Sequence, residues 1–135
     1  MLRTLHADDY VTLTIDEAAR VLRYKRSSTS YPSLDALRGC NHKLRAVLGK
    51  IPSGTHAILI DVRDAPPRND DAFEAEIVES LRLLAAQFPT RATLVRTAVG
   101  KLQTQRLART REGEVRVFTD EAEALAHVTT RTPCV

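Results

Sequence analysis

The stretch at residues 56–62 constrains the fold of this chain more than any other. It reads His-Ala-Ile-Leu-Ile-Asp-Val and lies between a turn at Gly54 and a stop at Pro66-Pro67. A short apolar run with such boundaries is typical of a strand buried on both faces in the middle of a parallel sheet. Asp61 would then lie near the carboxyl edge of the sheet, where open α/β sheets usually bind ligands.

Strand and helix patterns alternate around this central strand. Residues 11–15 and 21–25 each have a strand pattern, and the short turn between them requires an antiparallel hairpin. Apolar residues at helical spacing predict one helix that ends at Gly49 and a second from Asp70 to Phe88. A strand at 92–95, a thin helix that opens at Val99, a strand at 115–118 and a helix capped by Asp120 complete the chain.

The predicted order of elements is β-β-α-β-α-β-α-β-α, which places the chain in the α/β class. We expect one domain with a mixed sheet, in which an opening antiparallel hairpin precedes parallel strands flanked by about four helices. A length of 135 residues with 43% apolar residues suits a single domain. We place its core at residues 10–128 and interpret residues 129–135 as a loose tail.

Composition narrows the possible environments and partners. A net charge of +3, from 20 basic and 17 acidic residues, is nearly balanced and gives little support to a nucleic-acid partner. Cys40 and Cys134 are too few for a disulfide framework or a thiolate metal site. No run approaches the roughly 20 apolar residues of a membrane helix, so we expect a soluble cytoplasmic protein without a membrane span. Unpaired strand edges favour a homodimer.

Acidic residues follow the central strand at four positions: Asp61, Asp64, Asp70 and Asp71. One hypothesis is a metal-dependent hydrolase that uses Asp61, Asp64 and Asp70, because Mg²⁺ prefers carboxylate ligands. The alternative is a surface turn, since Asp70 and Asp71 also begin a helix and arginines lie among the acidic residues. No catalytic motif is complete, and Cys40 is interpreted as a small core residue.

A basic run follows the strand at 92–95. The helix predicted after this strand offers free backbone amides, which together with Arg96 and Lys101 could bind an anion. The candidate residues for anion binding are Arg96, Thr97, Lys101 and Arg106. The alternative is a solvated helix face, because basic patches without interleaved aromatic residues are unspecific.

The chain resembles the SpoIIAA-like group of sulfate-transporter and anti-sigma-factor-antagonist (STAS) domains, over about residues 10–128. The resemblance is carried by the opening hairpin, the strand end Ile-Leu-Ile-Asp-Val-Arg at 58–63, the Pro-rich turn with Asp70 and Phe73, the strand at 92–95, and the closing unit at 117–125. It implies a small mixed sheet flanked by helices, which serves protein–protein regulation or ligand binding without catalysis or a cofactor.

The resemblance also implies where a phosphorylation switch would lie. In anti-sigma-factor antagonists, a Ser directly after the Asp of the central strand is phosphorylated by a partner kinase. Asp61 matches that Asp, but Val62 occupies the position of the Ser, and neither Arg63 nor Asp64 can replace it. The chain therefore departs from the family pattern at its phosphoacceptor.

Our leading hypothesis is a non-enzymatic STAS-like module that binds a protein partner around the carboxyl edge of the central strand. The candidate contact residues are Asp61, Arg63, Asp64, Asp70, Asp71 and Glu74. A small-molecule or lipid carrier is the alternative, because the thin apolar face of the helix after Val99 could leave a cavity against the sheet.

Overall fold

Six strands in the described part of the chain form one mixed sheet, whose order in space, β1-β2-β3-β4-β5-β6, follows the order in sequence. The computed structural model describes residues 2–66, 70–97, 102 and 116–130. The strands are β1 (Leu2–Ala7), β2 (Val11–Asp16), β3 (Val21–Arg26), β4 (Ala57–Asp61), β5 (Arg91–Leu94) and β6 (Val117–Phe118). Helices α1 (Leu34–Leu48), α2 (Asp71–Gln87) and α3 (Glu121–Thr130) lie within the same described ranges.

The strand directions confirm the predicted mixed α/β sheet. β1, β2 and β3 pair antiparallel, whereas β3–β4, β4–β5 and β5–β6 are parallel pairs. The predicted opening hairpin corresponds to β2 and β3, and parallel strands follow it. β3 lies between β2 and β4 and therefore joins the antiparallel and parallel halves of the sheet.

Strand β1 is the element that the sequence prediction missed. It pairs with β2 at the edge of the sheet, with a register shift between Thr4 and His6. Most of its residues are exposed, and only Leu5 and His6 are half-buried. An edge strand that buries so little needs no alternation of apolar and polar residues, and β1 has none. The predicted core, which begins at residue 10, therefore does not include this strand.

The central strand is buried because each face of the sheet is covered. On one face, Leu22 and Ile58 pack with α1 residues such as Leu44 and with Phe73 of α2. On the other face, α3 covers β4 and β5, and the residues of this cluster include Leu59, Leu94, Ala124 and Val128. Each fully buried Leu or Ile side chain contributes about 2 kcal/mol through the area it removes from water.

Side chains and turns at the helix ends agree largely with the sequence signals. The backbone N of Glu123 donates to Asp120 Oδ2 at 3.1 Å, which confirms the predicted cap of α3. Gly49 is the C-cap of α1, as its position predicted. Asp70 is the N-cap of α2, although its side chain makes no capping hydrogen bond.

Two polar side chains of α1 lie in the core. Cys40 is buried, as expected of a small core residue. Asn41 is buried as well, although its side chain is polar. Its Nδ2 donates to Ser80 Oγ on α2 at 2.9 Å, so the side chain joins two helices across the core.

One predicted helix lies almost entirely outside the described residues. Of the helix that opens at Val99, only Leu102 is described, and its side chain is exposed. The hypothesis of a cavity under this helix, and with it the small-molecule or lipid carrier, stays a prediction. No helix within the described ranges combines the length and apolar character needed to cross a bilayer.

Candidate functional site

A group of charged side chains lies at the carboxyl edge of the parallel strands. Asp61 ends β4, and Arg23 lies on the neighbouring strand β3, opposite Leu59 in the register. Side chains alternate between faces along a strand, so Arg23 and Asp61 both point to the face that α3 covers. Glu121, the first residue of α3, lies at the same place.

Asp61 and Arg63 form the centre of this group. The Arg63 side chain donates from Nε to Asp61 Oδ1 at 3.0 Å and from Nη2 to Oδ2 at 2.8 Å. The backbone N of Arg63 donates to Oδ1 as well, at 3.1 Å. Because Asp61 is only 1% exposed, this two-point contact compensates a carboxylate that has lost its water.

The ionisation of Asp61 follows from these contacts. Burial alone would raise the pKa of Asp61, but the hydrogen bonds and the positive charge of Arg63 outweigh it and hold the pKa below its usual value. The hydrogen bond with Asp61 in turn raises the pKa of Arg63. Both groups are therefore charged at neutral pH.

Glu121 extends the ion pair to β3 and α3. Its Oε1 accepts a hydrogen bond from Arg63 Nη2 at 2.8 Å and a second from Arg23 Nη2. The hydrogen bond and charge of Arg23 lower the pKa of Glu121. Arg23 Nη2 also lies 3.4 Å from Asp61 Oδ2. We call these four residues, Arg23, Asp61, Arg63 and Glu121, the edge cluster.

A second ion pair lies beside the edge cluster and is more exposed. Arg96 Nη2 donates to Asp64 Oδ1 at 2.6 Å, with 67% of the Arg96 side chain and 42% of the Asp64 side chain exposed. This pair joins the turn after β4 to the turn after β5. It brings together one residue from the predicted partner-binding set and one from the predicted anion-binding set, so the two sets meet at this pair.

The other predicted residues are spread more widely. Asp70 and Asp71 are exposed and Glu74 is half-buried at the start of α2, which packs on the face of the sheet opposite α3. Thr97 is exposed next to Arg96. Two further residues of the predicted anion site lie outside the described residues: Lys101 and Arg106.

The structure corrects the part assigned to Asp61. Asp61 was expected among the residues that contact a partner, but its carboxylate is buried and already paired. Its carboxylate is held by Arg63 and approached by Arg23, so it contributes to this surface through these two arginines. Burial of Asp61 follows from its place at the end of a strand that is covered on both faces.

The three carboxylates of the metal-dependent hydrolase hypothesis do not assemble. Among the described residues, which include Asp61, Asp64 and Asp70, no group of three or more His, Cys, Asp or Glu side chains could hold a metal ion. Asp61 and Asp64 instead take Arg63 and Arg96 as counterions. The hypothesis fails for these three residues.

Two members of the site were not predicted from the sequence: Arg23 and Glu121. They are separated by 98 residues, and Arg23 is 38 residues from Asp61. One available signal was the alternation in β3, which places Arg23 on the same face as the buried Val21. The register with the central strand, which brings Arg23 to Asp61, is a tertiary property that local patterns do not contain.

Comparison with known proteins supports the fold. Neither a protein-family model nor a curated protein matches the sequence. Among solved structures, the chain is similar to an uncharacterized protein of the DUF3478 family from Shewanella loihica PV-4, described as having a SpoIIAA-like fold. The TM-score is 0.64 at 16% identity, over 91% of this chain and 98% of the other. The chain thus has a SpoIIAA-like fold, as the resemblance to STAS domains predicted.

Proposed function

We propose that this chain is a regulatory or binding module of the STAS type, without a catalytic role, that recognises a protein partner at the carboxyl edge of β4. The observation that carries the proposal is the exposed Asp64–Arg96 ion pair, which lies next to Arg63 on that edge. An exposed pair of opposite charges gives a partner two directional contacts and fixes the register of binding. The SpoIIAA-like fold supports the assignment to this class.

The ionisation of the edge cluster favours recognition over chemistry. A general base works best when its pKa lies near the working pH, whereas the pKa values of Asp61 and Glu121 are both lowered. Carboxylates held in this way are weak proton acceptors. They serve better to orient the arginines, and Arg63 is one-third exposed at the surface.

The position of the family's phosphoacceptor supports binding without a switch there. Val62 is half-buried, and its backbone N donates to Leu94 O on β5 at 3.0 Å. An alkyl side chain cannot be phosphorylated, and it carries no charge that would mimic a phosphate. Binding at this edge would therefore be controlled by the partner or by its concentration.

A charge swap separates recognition from folding. The double variant Asp64→Arg with Arg96→Asp keeps an ion pair between the two turns but presents the opposite charges to a partner. After the partner is identified by cross-linking and purified, we expect the swap to weaken its binding by about tenfold or more, with little change in the thermal midpoint.

The matched control lies at the other end of the sheet. Arg3 Nη2 donates to Glu17 Oε1 at 2.7 Å, and both side chains are exposed. The double variant Arg3→Glu with Glu17→Arg should leave partner binding unchanged. If the two swaps bind the partner equally well, the carboxyl edge of β4 is not the binding surface.

A further inference from the structure

We propose that the edge cluster is a binding site for a carboxylate from an acidic segment of the partner, and that Glu121 occupies this site in the free protein. This inference rests on the proposed function, because it names the chemical group that the same edge would recognise. It concerns the two arginines that meet at Glu121, not the Asp64–Arg96 pair.

Asp61 needs only one of the two arginines as its counterion. Arg63 contacts both of its carboxylate oxygens and also donates from the backbone. Arg23 approaches Asp61 only to 3.4 Å, at the limit of a hydrogen bond. The principal counterion of Arg23 is therefore Glu121.

Two guanidinium groups converge on one oxygen of Glu121. Nη2 of Arg23 and Nη2 of Arg63 both donate to Oε1 of Glu121. Such convergence defines a position for an oxyanion, because charge-assisted hydrogen bonds from two donors add direction to attraction. The side chains of Arg23, Arg63 and Glu121 are 26%, 33% and 41% exposed, so a carboxylate from solvent can reach this position.

Glu121 can leave the two arginines without loss of its helix. Helix α3 is held by the Asp120 cap and by Ala124 and Val128, which are fully buried. A free Glu121 carboxylate at the first position of α3 still interacts favourably with the helix dipole. Asp61 cannot leave in the same way, because it is buried at the end of β4.

The charge balance favours a carboxylate over a phosphate. When Glu121 leaves, Arg23 and Arg63 carry two positive charges against one negative charge on Asp61. One carboxylate restores neutrality among these residues, whereas a phosphate dianion would leave one excess negative charge that only the exposed Lys25, opposite Asp61 in the register, could offset. Glu121 itself demonstrates that a carboxylate fits between the two guanidinium groups.

The consequence is competition between Glu121 and the partner. An internal group that occupies a site reduces the apparent affinity for a ligand by the fraction of molecules in which the site is free. Removal of the internal carboxylate should therefore tighten binding of an external one. Removal of Arg23 should weaken it, and Asp61 keeps its main counterion in that variant.

The test uses the purified chain and a fluorescein-labelled oligoglutamate peptide at low salt, with fluorescence anisotropy as the readout. We expect Glu121→Gln to bind the peptide up to about fivefold more tightly than the wild type, as fits the loss of a partly exposed ion pair. We expect Arg23→Gln to bind it about tenfold more weakly. Circular dichroism melts establish that each variant is folded.

Matched controls remove the effect of net charge. Glu17→Gln and Arg3→Gln make the same changes in charge at the opposite end of the sheet, within an ion pair of the same type. Both should bind the peptide close to the wild-type affinity. Arg23→Lys, which keeps the charge and loses the planar fork, should bind more weakly and replaces Arg23→Gln if that variant does not fold.

Several results would overturn this inference. One is that Glu121→Gln and Glu17→Gln bind the peptide with equal affinity. Another is that Arg23→Lys binds the peptide as tightly as the wild type does. A third is that Glu121→Gln shows no saturable binding of the peptide. Inorganic phosphate that binds Glu121→Gln more tightly than the peptide does would overturn the assignment to a carboxylate. If the Asp64–Arg96 swap abolishes partner binding but Glu121→Gln and Arg23→Gln do not alter it, this inference fails while the proposed function stands.

Discussion

Arg63 forms a two-point ion pair with Asp61, two residues before it in the chain. The distances are 3.0 Å from Nε to Oδ1 and 2.8 Å from Nη2 to Oδ2. Asp61 is the last residue of β4 and is almost fully buried. The side chain that follows the strand therefore stabilises the charge at its end, and the turn after β4 is held in place by this contact.

Removal of Arg63 should destabilise the protein substantially. In Arg63→Met the buried carboxylate of Asp61 keeps only Arg23, at 3.4 Å. We expect the free energy of unfolding in urea to fall by about 2 to 3 kcal/mol, which is less than the loss for a fully buried ion pair because Arg63 is one-third exposed. Arg96→Met, which breaks an exposed pair, should cost less than about 1 kcal/mol. Equal losses in the two variants would contradict the burial of Asp61's charge.

The contribution of Asp61 should disappear in acid. Its pKa in the folded state is lowered from the usual value of 3.8, so the unfolded chain binds this proton more readily than the folded chain does. The stabilisation is complete above the unfolded pKa and is lost as the pH falls through the folded pKa. The difference in urea midpoint between the wild type and Asp61→Asn should therefore stay constant above about pH 5 and shrink as the pH falls below about pH 4. A constant difference would contradict the lowered pKa.

The contact between Asn41 and Ser80 should couple α1 to α2. Asn41 is buried, and its Nδ2 donates to Ser80 Oγ at 2.9 Å. Asn41→Ala should lower the free energy of unfolding by about 1 to 2 kcal/mol, and Ser80→Ala by about 1 kcal/mol. A double-mutant cycle should give a coupling energy of about 1 kcal/mol. Additive losses would indicate that the two side chains act independently.

Local patterns predicted the elements that carry their own boundaries and periodicity. The burial of β4 followed from an apolar run between Gly54 and Pro66, and α3 followed from its cap at Asp120. Strand β1 escaped prediction because its place depends on backbone pairing with β2. Backbone hydrogen bonds form with almost any side chain, so an exposed edge strand leaves little trace in the sequence.

The sequence indicated where the candidate site lies, but it did not indicate all of the residues that form it. The end of β4 pointed to Asp61, Arg63 and Asp64, since carboxyl ends of parallel strands share one edge. Arg23 and Glu121 come from β3 and α3, and only the strand register and the packing of α3 bring them together. The same limit explains why Asp64 and Arg96 were assigned to two sites, although they form one ion pair.

The thiol of Cys40 should be protected from modification in the folded protein. Burial raises the pKa of the thiol, and the negative charge of Asp8 raises it further. The hydrogen bond with the Tyr31 hydroxyl partly offsets this rise. A thiol that is both buried and protonated reacts slowly. In a Cys134→Ser variant, we expect a disulfide reagent to label the native protein on the order of 100-fold more slowly than the urea-unfolded protein. Equal labelling rates would contradict the burial.

The environment of His56 defines its protonation state. The Thr55 hydroxyl donates to Pro52 O at 2.6 Å, so it accepts the proton of His56 Nδ1 at 2.8 Å. This leaves the lone pair on Nε2, a buried atom that has no hydrogen-bond partner among the described residues. Glu17 Oε2 lies 4.0 Å away. Burial lowers the pKa of His56 below its usual 6.5, although the charge of Glu17 opposes this shift.

His56 should therefore make the protein less stable as the pH falls. Because the folded state favours the neutral ring, its stabilising contribution is complete above the unfolded pKa of 6.5 and is lost as the pH falls through this value toward the folded pKa. We expect the urea midpoint of the wild type to decline between about pH 8 and pH 5.5 more steeply than that of His56→Gln. Glu17→Gln should steepen the decline, since it removes the charge that favours protonation. Parallel profiles for the wild type and His56→Gln would mean that the ring ionises as readily in the folded chain as in the unfolded chain.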